Sequence, residues 1–238
     1  MTFTLHHLQR SQSERIVWLC EELGIPYELK TYRRDQQTLL APPELKALHP
    51  AGSAPVLTDG DVTIAESGAI AEYIINRYAP PSHNLTVPAS APAKEYAEYL
   101  YWLHFANGSL QPTLMIPMMI SFTGLGSLPA VATHPSLGAI NGRVDAAFKA
   151  LDARLRETGN WLAGDKFTLA DIMTVFTMST MRLFEPFSLD GYDGIVAWLE
   201  RVGRREAYQR AIEKGEKGET RGVVPTLMRE APKGIRSG

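Results

Sequence analysis

One stretch constrains the chain more than any other: Ala51–Gly68, AGSAPVLTDGDVTIAESG. Two short apolar runs, Ala54–Leu57 and Val62–Ala65, flank an Asp59-Gly60 pair, the pattern of a tight β-hairpin. Pro55 stands at the mouth of the first run, where the missing N–H confines proline to a sheet edge, a tight turn or a cis bond. Glu66-Ser67 follows the second run. Ser67 is of the residue type that caps a helix N-terminus, and acidic Glu66 sits beside the positive helix end. A helix N-terminus accepts a carboxylate and an acidic neighbour accepts an ammonium group, so this junction suits the head of an amino acid. The same residues also describe an ordinary hairpin followed by a capped helix.

Phe3 and Leu5 alternate with polar residues and predict a first strand over Thr2–His6. After the polar segment Gln9–Glu14, the residues Ile16, Leu19, Cys20 and Leu23 fall on one helical stripe that Gly24 closes. Cys20 lies inside that stripe and reads as a small buried hydrophobe rather than a reactive thiol. Pro26 restarts an extended run, Tyr27–Tyr32, and the polar loop Arg33–Leu40 leads to a short helix over Pro42–Leu48. The hairpin and a helix over Ser67–Tyr78 complete the order β-α-β-α-β-β-α. Its first two strands need a crossover and are parallel, and its last two are antiparallel. That order, with proline opening the third strand, is the order of a thioredoxin-like α/β domain.

Ala79–Pro92 is a proline-rich composition break, and beyond it the pattern is all α. The expected domains are therefore 1–80, a linker over 81–92, and a helical domain over 93–238. Ala93–Gln111 predicts a long helix ending near Gly108 and Pro112. Met115–Pro135 predicts an irregular or broken helical stretch, and Leu137–Thr158 a helix. Thr168-Leu-Ala-Asp171 is a capping-box start for a helix to about Met181, with Phe167 as its staple. Gly191–Arg201 and Glu206–Lys214 predict shorter helices, and Ala231–Gly238 a solvated tail. A formal net charge of −2 gives no electrostatic basis for nucleic-acid binding. A single cysteine rules out an internal disulfide and fits a reducing, cytoplasmic setting. The apolar run Leu114–Phe122 is too short to cross a bilayer and no N-terminal signal pattern precedes it, so no membrane association is expected. The scattered histidines predict no metal site.

Four motifs, SxSERIVWLCEELGIPYEL (Ser11–Leu29), GSAPVL (Gly52–Leu57), AESGAI (Ala65–Ile70) and GDKFTLADI (Gly164–Ile172), occur in an order that resembles the cytosolic glutathione transferases over nearly the whole chain. HPAGSAPVL and HFANGSLQPTLM are most similar to bacterial and fungal members with a serine-type site. Ala54 stands where the family commonly has valine, and Ser53 where many members carry a basic residue.

The resemblance implies a site. Ala54 would offer its backbone to the cysteinyl part of glutathione, with Pro55 in cis. Ser67 would hold the γ-glutamyl carboxylate, and Glu66 the γ-glutamyl ammonium region. Arg34, Gln37 and Lys46 are candidates for the glycine carboxylate. Ser11 or Ser13 would donate its hydroxyl to the glutathione thiolate, Ser11 being favoured and Ser13 being also placed to cap the first helix. His6, His7 and Arg15 lie nearby and read as structural. The resemblance also implies an electrophile pocket between the domains, with Tyr101, Phe105, Met115, Met118 and Met119 in its apolar wall, and a homodimer. The expected function is conjugation of the glutathione thiolate to hydrophobic electrophiles. A glutathione-dependent peroxidase or disulfide reductase, and a non-catalytic glutathione-binding or interaction protein, are the alternatives.

Overall fold

The computed structural model describes residues 2–217 and 227–235. By its contacts the chain divides into two units, Met1–His83 with Arg201–Val224, and Asn84–Glu200 with Pro225–Gly238.

The first unit is built on a four-stranded sheet ordered β2-β1-β3-β4, with β1 Thr4–Leu8, β2 Glu28–Tyr32, β3 Val56–Asp59 and β4 Val62–Ala65. β1 runs parallel to β2 and antiparallel to β3, which is antiparallel to β4. Helices α1 (Glu14–Leu23), α2 (Pro43–Lys46) and α3 (Ser67–Tyr78) complete a thioredoxin-like βαβαββα order. Gly24 closes α1 at a left-handed φ of 62°, a conformation that costs glycine nothing. The third strand begins at Val56, later than its apolar run suggests, because the Ala54-Pro55 peptide is cis and Pro55 has no N–H for the ladder. Asp59 pairs with Val62, so the hairpin turns on Gly60–Asp61, one residue beyond the expected pair.

Helix α10 (Glu206–Gly215) packs against α1 in this same unit. Trp18 and Tyr208 meet edge to face at 4.9 Å, and Arg205 grips both oxygens of Glu22 at 2.6 and 2.8 Å. Glu21 gathers Lys214 at 2.6 Å and Arg210 at 3.2 Å. With the sheet domain and α10 both against it, α1 is buried nearly all round, and even Arg15 is sealed from solvent. Burial pushes the Arg15 guanidinium down to about 9, and neighbouring Glu14 offsets part of that cost.

The second unit is helical, and among its described residues it contains no strand, only an isolated bridge between Trp161 and Gly164. α4 (Ala93–Phe105) passes through a π turn, Ala106–Leu110, into α5 (Gln111–Thr123). The expected stop near Gly108 and Pro112 is thus a widened turn: Pro112 falls at the start of α5, where its missing N–H costs little. α5 tolerates Pro117 in its interior and ends on Gly124, and α6 (Pro129–Ala132) is short. α7 (Pro135–Thr158) and α8 (Leu169–Met178) follow, then α9 (Asp193–Gly203).

The Thr168–Asp171 capping box forms as expected. Asp171 is fully buried and also accepts from Leu162 N at 3.1 Å and Trp198 Nε1 at 3.0 Å. Burial pushes its carboxyl up to about 6, against the pull of those N–H donors. Ala231–Ile235 is not a solvated tail. Pro232 is buried and Ile235 N donates to Leu183 O at 2.8 Å. Arg182 also takes the carbonyls of Met228 at 2.6 Å and Glu230 at 2.6 Å. The last three residues of the expected tail, 236–238, lie outside the described residues. No helix among the described residues is long and apolar enough to cross a membrane.

Candidate active site

Strand directions alone decide where the candidate residues meet. β1 and β4 both run antiparallel to β3, so the end of β1, the start of β3 and the end of β4 share one edge of the sheet. The loop carrying Ser11 and Ser13, the cis Ala54-Pro55 bond and the Glu66-Ser67 junction therefore gather at that edge. β2, parallel to β1, delivers Arg34 to it as well. Leu8, Tyr32, Leu45 and Ala54 form a buried cluster beneath them and fix the floor.

Ser11 and Ser13 are both buried, and their hydroxyls are 2.7 Å apart. Ser13 occupies the N-cap position of α1 but makes no side-chain cap bond. Its oxygen turns back to the strand instead, accepting from Leu8 N at 3.1 Å and lying 2.8 Å from His7 Nδ1. The capping role open to Ser13 in the sequence is not the one it plays. Ser11 Oγ accepts from Ser13 N at 3.2 Å, a local turn that holds its hydroxyl in place. His6 is structural, bridging Tyr32 Oη at 2.9 Å and Thr58 Oγ1 at 3.2 Å. Burial and neighbouring Lys30 hold the His6 imidazole below its usual range, against the opposing pull of Glu28.

Glu66, rather than Ser67, is the N-cap of α3; its carbonyl accepts from Ile70 N at 2.9 Å. Glu66 adopts a left-handed φ of 70°, rare for a residue with a side chain and worth about 1–3 kcal/mol of backbone strain. That turn leaves Glu66 exposed and puts Ser67, 2% exposed, at the first helical position. The carboxylate and the helix start thus face different surroundings across one peptide bond.

Gln12 Nε2 donates to Ala54 O at 3.2 Å. One lone pair of the carbonyl proposed for ligand binding is therefore engaged, leaving the second for an incoming N–H. Arg34 spends its guanidinium on backbone carbonyls: Gln9 O at 3.2 Å, Arg10 O at 3.0 Å and Leu39 O at 2.7 Å. Desolvation and nearby Arg10 push the Arg34 guanidinium down to about 10. Arg34 therefore braces the serine loop. Gln37 is exposed beside Asp35, and Lys46 is exposed with its stem toward Gly52, 3.9 Å from where a Cβ would stand. Of the expected apolar wall, Phe105 and Met118 are buried, Met115 is half-buried, and Tyr101 and Met119 are 57% and 53% exposed.

Four residues at this edge have no local sequence signal. Gln12 is one. The others come from the far end of the chain: Glu216 Oε1 accepts from Arg10 N at 2.7 Å and lies 3.5 Å from His7 Nε2. Gln9 in turn donates to Gly215 O and Lys217 O at 3.4 and 3.3 Å. No group of histidine, cysteine and acidic side chains suited to a metal ion occurs among the described residues.

Fold and site together define a class: a thioredoxin-like domain that keeps its cis proline, continued by a helical domain. Residues 1–76 match the model of the glutathione S-transferase N-terminal domain, and residues 120–206 that of the C-terminal domain. Glutathione S-transferase 3 of Schizosaccharomyces pombe is 30% identical over 220 residues, 89% of this chain and 87% of that protein. Glutathione S-transferase 1 of Saccharomyces cerevisiae is 31% identical over 225 residues, 88% and 94% of the two chains. A crystal structure of a glutathione S-transferase from Actinobacillus pleuropneumoniae matches with a TM-score of 0.79 at 34% identity, covering 94% of this chain and 95% of that one. The chain belongs to the glutathione S-transferase family. Membership supports transferase activity in general, with glutathione as co-substrate.

Proposed function

We propose that the chain conjugates the glutathione thiolate to hydrophobic electrophiles, with Ser11 as the hydroxyl donor that stabilises the thiolate. The observation that carries this reading is the pair of buried serine hydroxyls 2.7 Å apart at the same sheet edge as the cis Ala54-Pro55 bond and the start of α3. Ser13 already has His7 and the Leu8 backbone as partners, which favours Ser11 as the one that turns to the ligand. In this reading the cysteinyl backbone of glutathione pairs with Ala54. The γ-glutamyl carboxylate sits at Ser67 and the start of α3, with Glu66 toward the ammonium.

Lys46 takes the glycine carboxylate, because it lies beside the Gly52 turn that leads to Ala54 while Arg34 is committed to carbonyls. Apolar residues of α4 and α5, among them Tyr101, Phe105, Met115, Met118 and Met119, supply the surface for the electrophile. A cytoplasmic setting and a two-fold dimer belong to the reading and rest on family membership; sedimentation velocity tests the dimer.

A glutathione thiol of pKa ~8.5 gains nucleophilicity at neutral pH when a donor lowers that value. A hydrogen bond to a charged group contributes about 1.5–3 kcal/mol, so Ser11→Ala should raise the bound thiol's pKa by about 1–2 units. The test is ultraviolet thiolate absorbance against pH, with and without stoichiometric protein. An unshifted thiol with saturable binding would favour a non-catalytic binding protein, and no binding at all would overturn the assignment. If binding and activation hold, electrophiles are then screened against hydroperoxides and disulfides.

A further inference from the structure

Glu216, His7 and Ser13 form a cluster that the conjugation chemistry leaves without a role, and it is almost wholly sealed from solvent. The side chains of His7 and Glu216 are 0% and 1% exposed, and Ser13 is 0% exposed. The order runs Glu216 Oε1 to His7 Nε2 at 3.5 Å, His7 Nδ1 to Ser13 Oγ at 2.8 Å, and Ser13 Oγ to Ser11 Oγ at 2.7 Å. The two short contacts each hold one proton, so their directions are coupled through the single hydroxyl proton of Ser13.

Two orders run along the short contacts; a third, in which Ser13 accepts from both neighbours and donates to Leu8 O, uses the longer 3.3 Å contact and also turns Ser11 inward. In the inward order His7 Nδ1 is unprotonated and accepts from Ser13, which must accept from Ser11; the Ser11 proton then points away from a ligand. In the outward order Nδ1–H donates to Ser13, Ser13 donates to Ser11, and the Ser11 proton is free to point at a thiolate. Leu8 N donates to Ser13 in either order. Glu216 Oε1 lies on the Nε2 side of the ring, so the outward order sets an Nδ1–H donor toward Ser13 with the carboxylate behind the imidazole. Arg10 donates its backbone N–H to this carboxylate, and the Arg34 guanidinium feels the charges of both Arg10 and Glu216.

We propose that Glu216 and His7 are positioning residues for the thiolate: the buried carboxylate, acting through the imidazole and Ser13, orders the protons so that Ser11 donates outward. This rests on the reading of Ser11 given above.

The test titrates the thiolate of glutathione bound to the full-length protein. Glu216→Gln keeps an acceptor for Arg10 N but removes the charge; it should raise the bound thiol's pKa by about half a unit or more. The turnover number below that pKa should fall by at least about threefold, with the KM for glutathione within about twofold of wild type. His7→Phe, without polar atoms, should do the same. His7→Asn can place an amide N–H near the Nδ1 position and should recover much of the shift. In that background Glu216→Gln should add nothing.

An unchanged thiol in Glu216→Gln would overturn the proposal. So would an equal added shift in the His7→Asn background, since Glu216 would then be acting only on the loop through Arg10. Ser11→Ala separates the two levels. If it moves the thiol and Glu216→Gln does not, the proton ordering alone fails. If Ser11→Ala leaves the thiol unmoved, the Ser11 assignment fails and the ordering with it.

Discussion

Replacing Gly215 by alanine perturbs Ser11 without touching either serine. Gly215 ends α10 with its Cα against the His7 ring, and a Cβ there would lie 2.9 Å from Nε2 and 3.3 Å from Cε1. Ordinary contact begins at 3.4 Å, so the ring must retreat or rotate by about 0.5 Å. His7 is wholly buried and its Nδ1 is already 2.8 Å from Ser13 Oγ, too close to absorb that movement by compression. Overpacking of this kind costs about 1–3 kcal/mol, and the gain from replacing a helical glycine offsets about 0.5–1 kcal/mol of it. The expected net loss is about 1–2 kcal/mol, a drop in Tm of roughly 2–8 °C for a chain of this size. The bound glutathione thiol should rise by about one pKa unit in the same variant, since Ser13 no longer holds its geometry. Thermal unfolding and thiolate absorbance are the assays. A Gly215→Ala protein as stable as wild type, with an unchanged thiol, would refute the reasoning.

Asp171→Ala should orphan the buried N–H groups of Leu162, Thr168 and Trp198 and destabilise the chain by at least about 3 kcal/mol, read in urea unfolding. Despite the opposing cost of burial, Lys214, Tyr27 and Arg210 hold the Glu21 carboxyl below its usual range. A depressed carboxyl stabilises the fold above its unfolded pKa, and that contribution is lost as pH falls through the folded one. Glu21→Gln should therefore be less stable than wild type at pH 7, and the gap should narrow steadily as the solution is acidified. Burial, with Glu21 nearby, pushes the Cys20 thiol far above its normal range. A thiol reagent should leave the native protein unlabelled and modify Cys20 at the rate of unfolding; rapid native labelling would contradict its place in the core.

Much of the first unit was legible because its signals are local. Val62–Ala65 and Ser67–Tyr78 fall where alternation and helical spacing put them; in the second unit Thr168–Asp171 likewise caps α8 through contacts within four residues. The parallel pairing of β1 with β2 and the antiparallel pairing of β3 with β4 followed from crossover and hairpin rules, whereas the cis bond at Pro55 was what the family resemblance implied. What escaped the sequence is non-local or depends on a backbone angle. Ser67 has the composition of a cap, but the left-handed φ of Glu66 moves the cap back by one residue. Ser13 has the position of a cap, but a histidine on the adjacent strand outcompetes the helix for its oxygen. Arg34 has the charge for a carboxylate, yet the bare carbonyls of Gln9, Arg10 and Leu39 claim it first. Glu216 meets Arg10 across a separation of 206 residues, a distance no periodicity spans.

That last contact has a consequence in time. The strands and α1 to α3 are complete once His83 has been made, but Gly215, Glu216 and Lys217, which hold the serine loop, come about 130 residues later. At about 5–20 residues per second, roughly 7–27 s of synthesis separate the two events. A nascent chain can build its sheet during that interval with the Ser11 loop still missing the contacts from Gly215 to Lys217. The serine loop therefore reaches its final form only after Lys217 has been made.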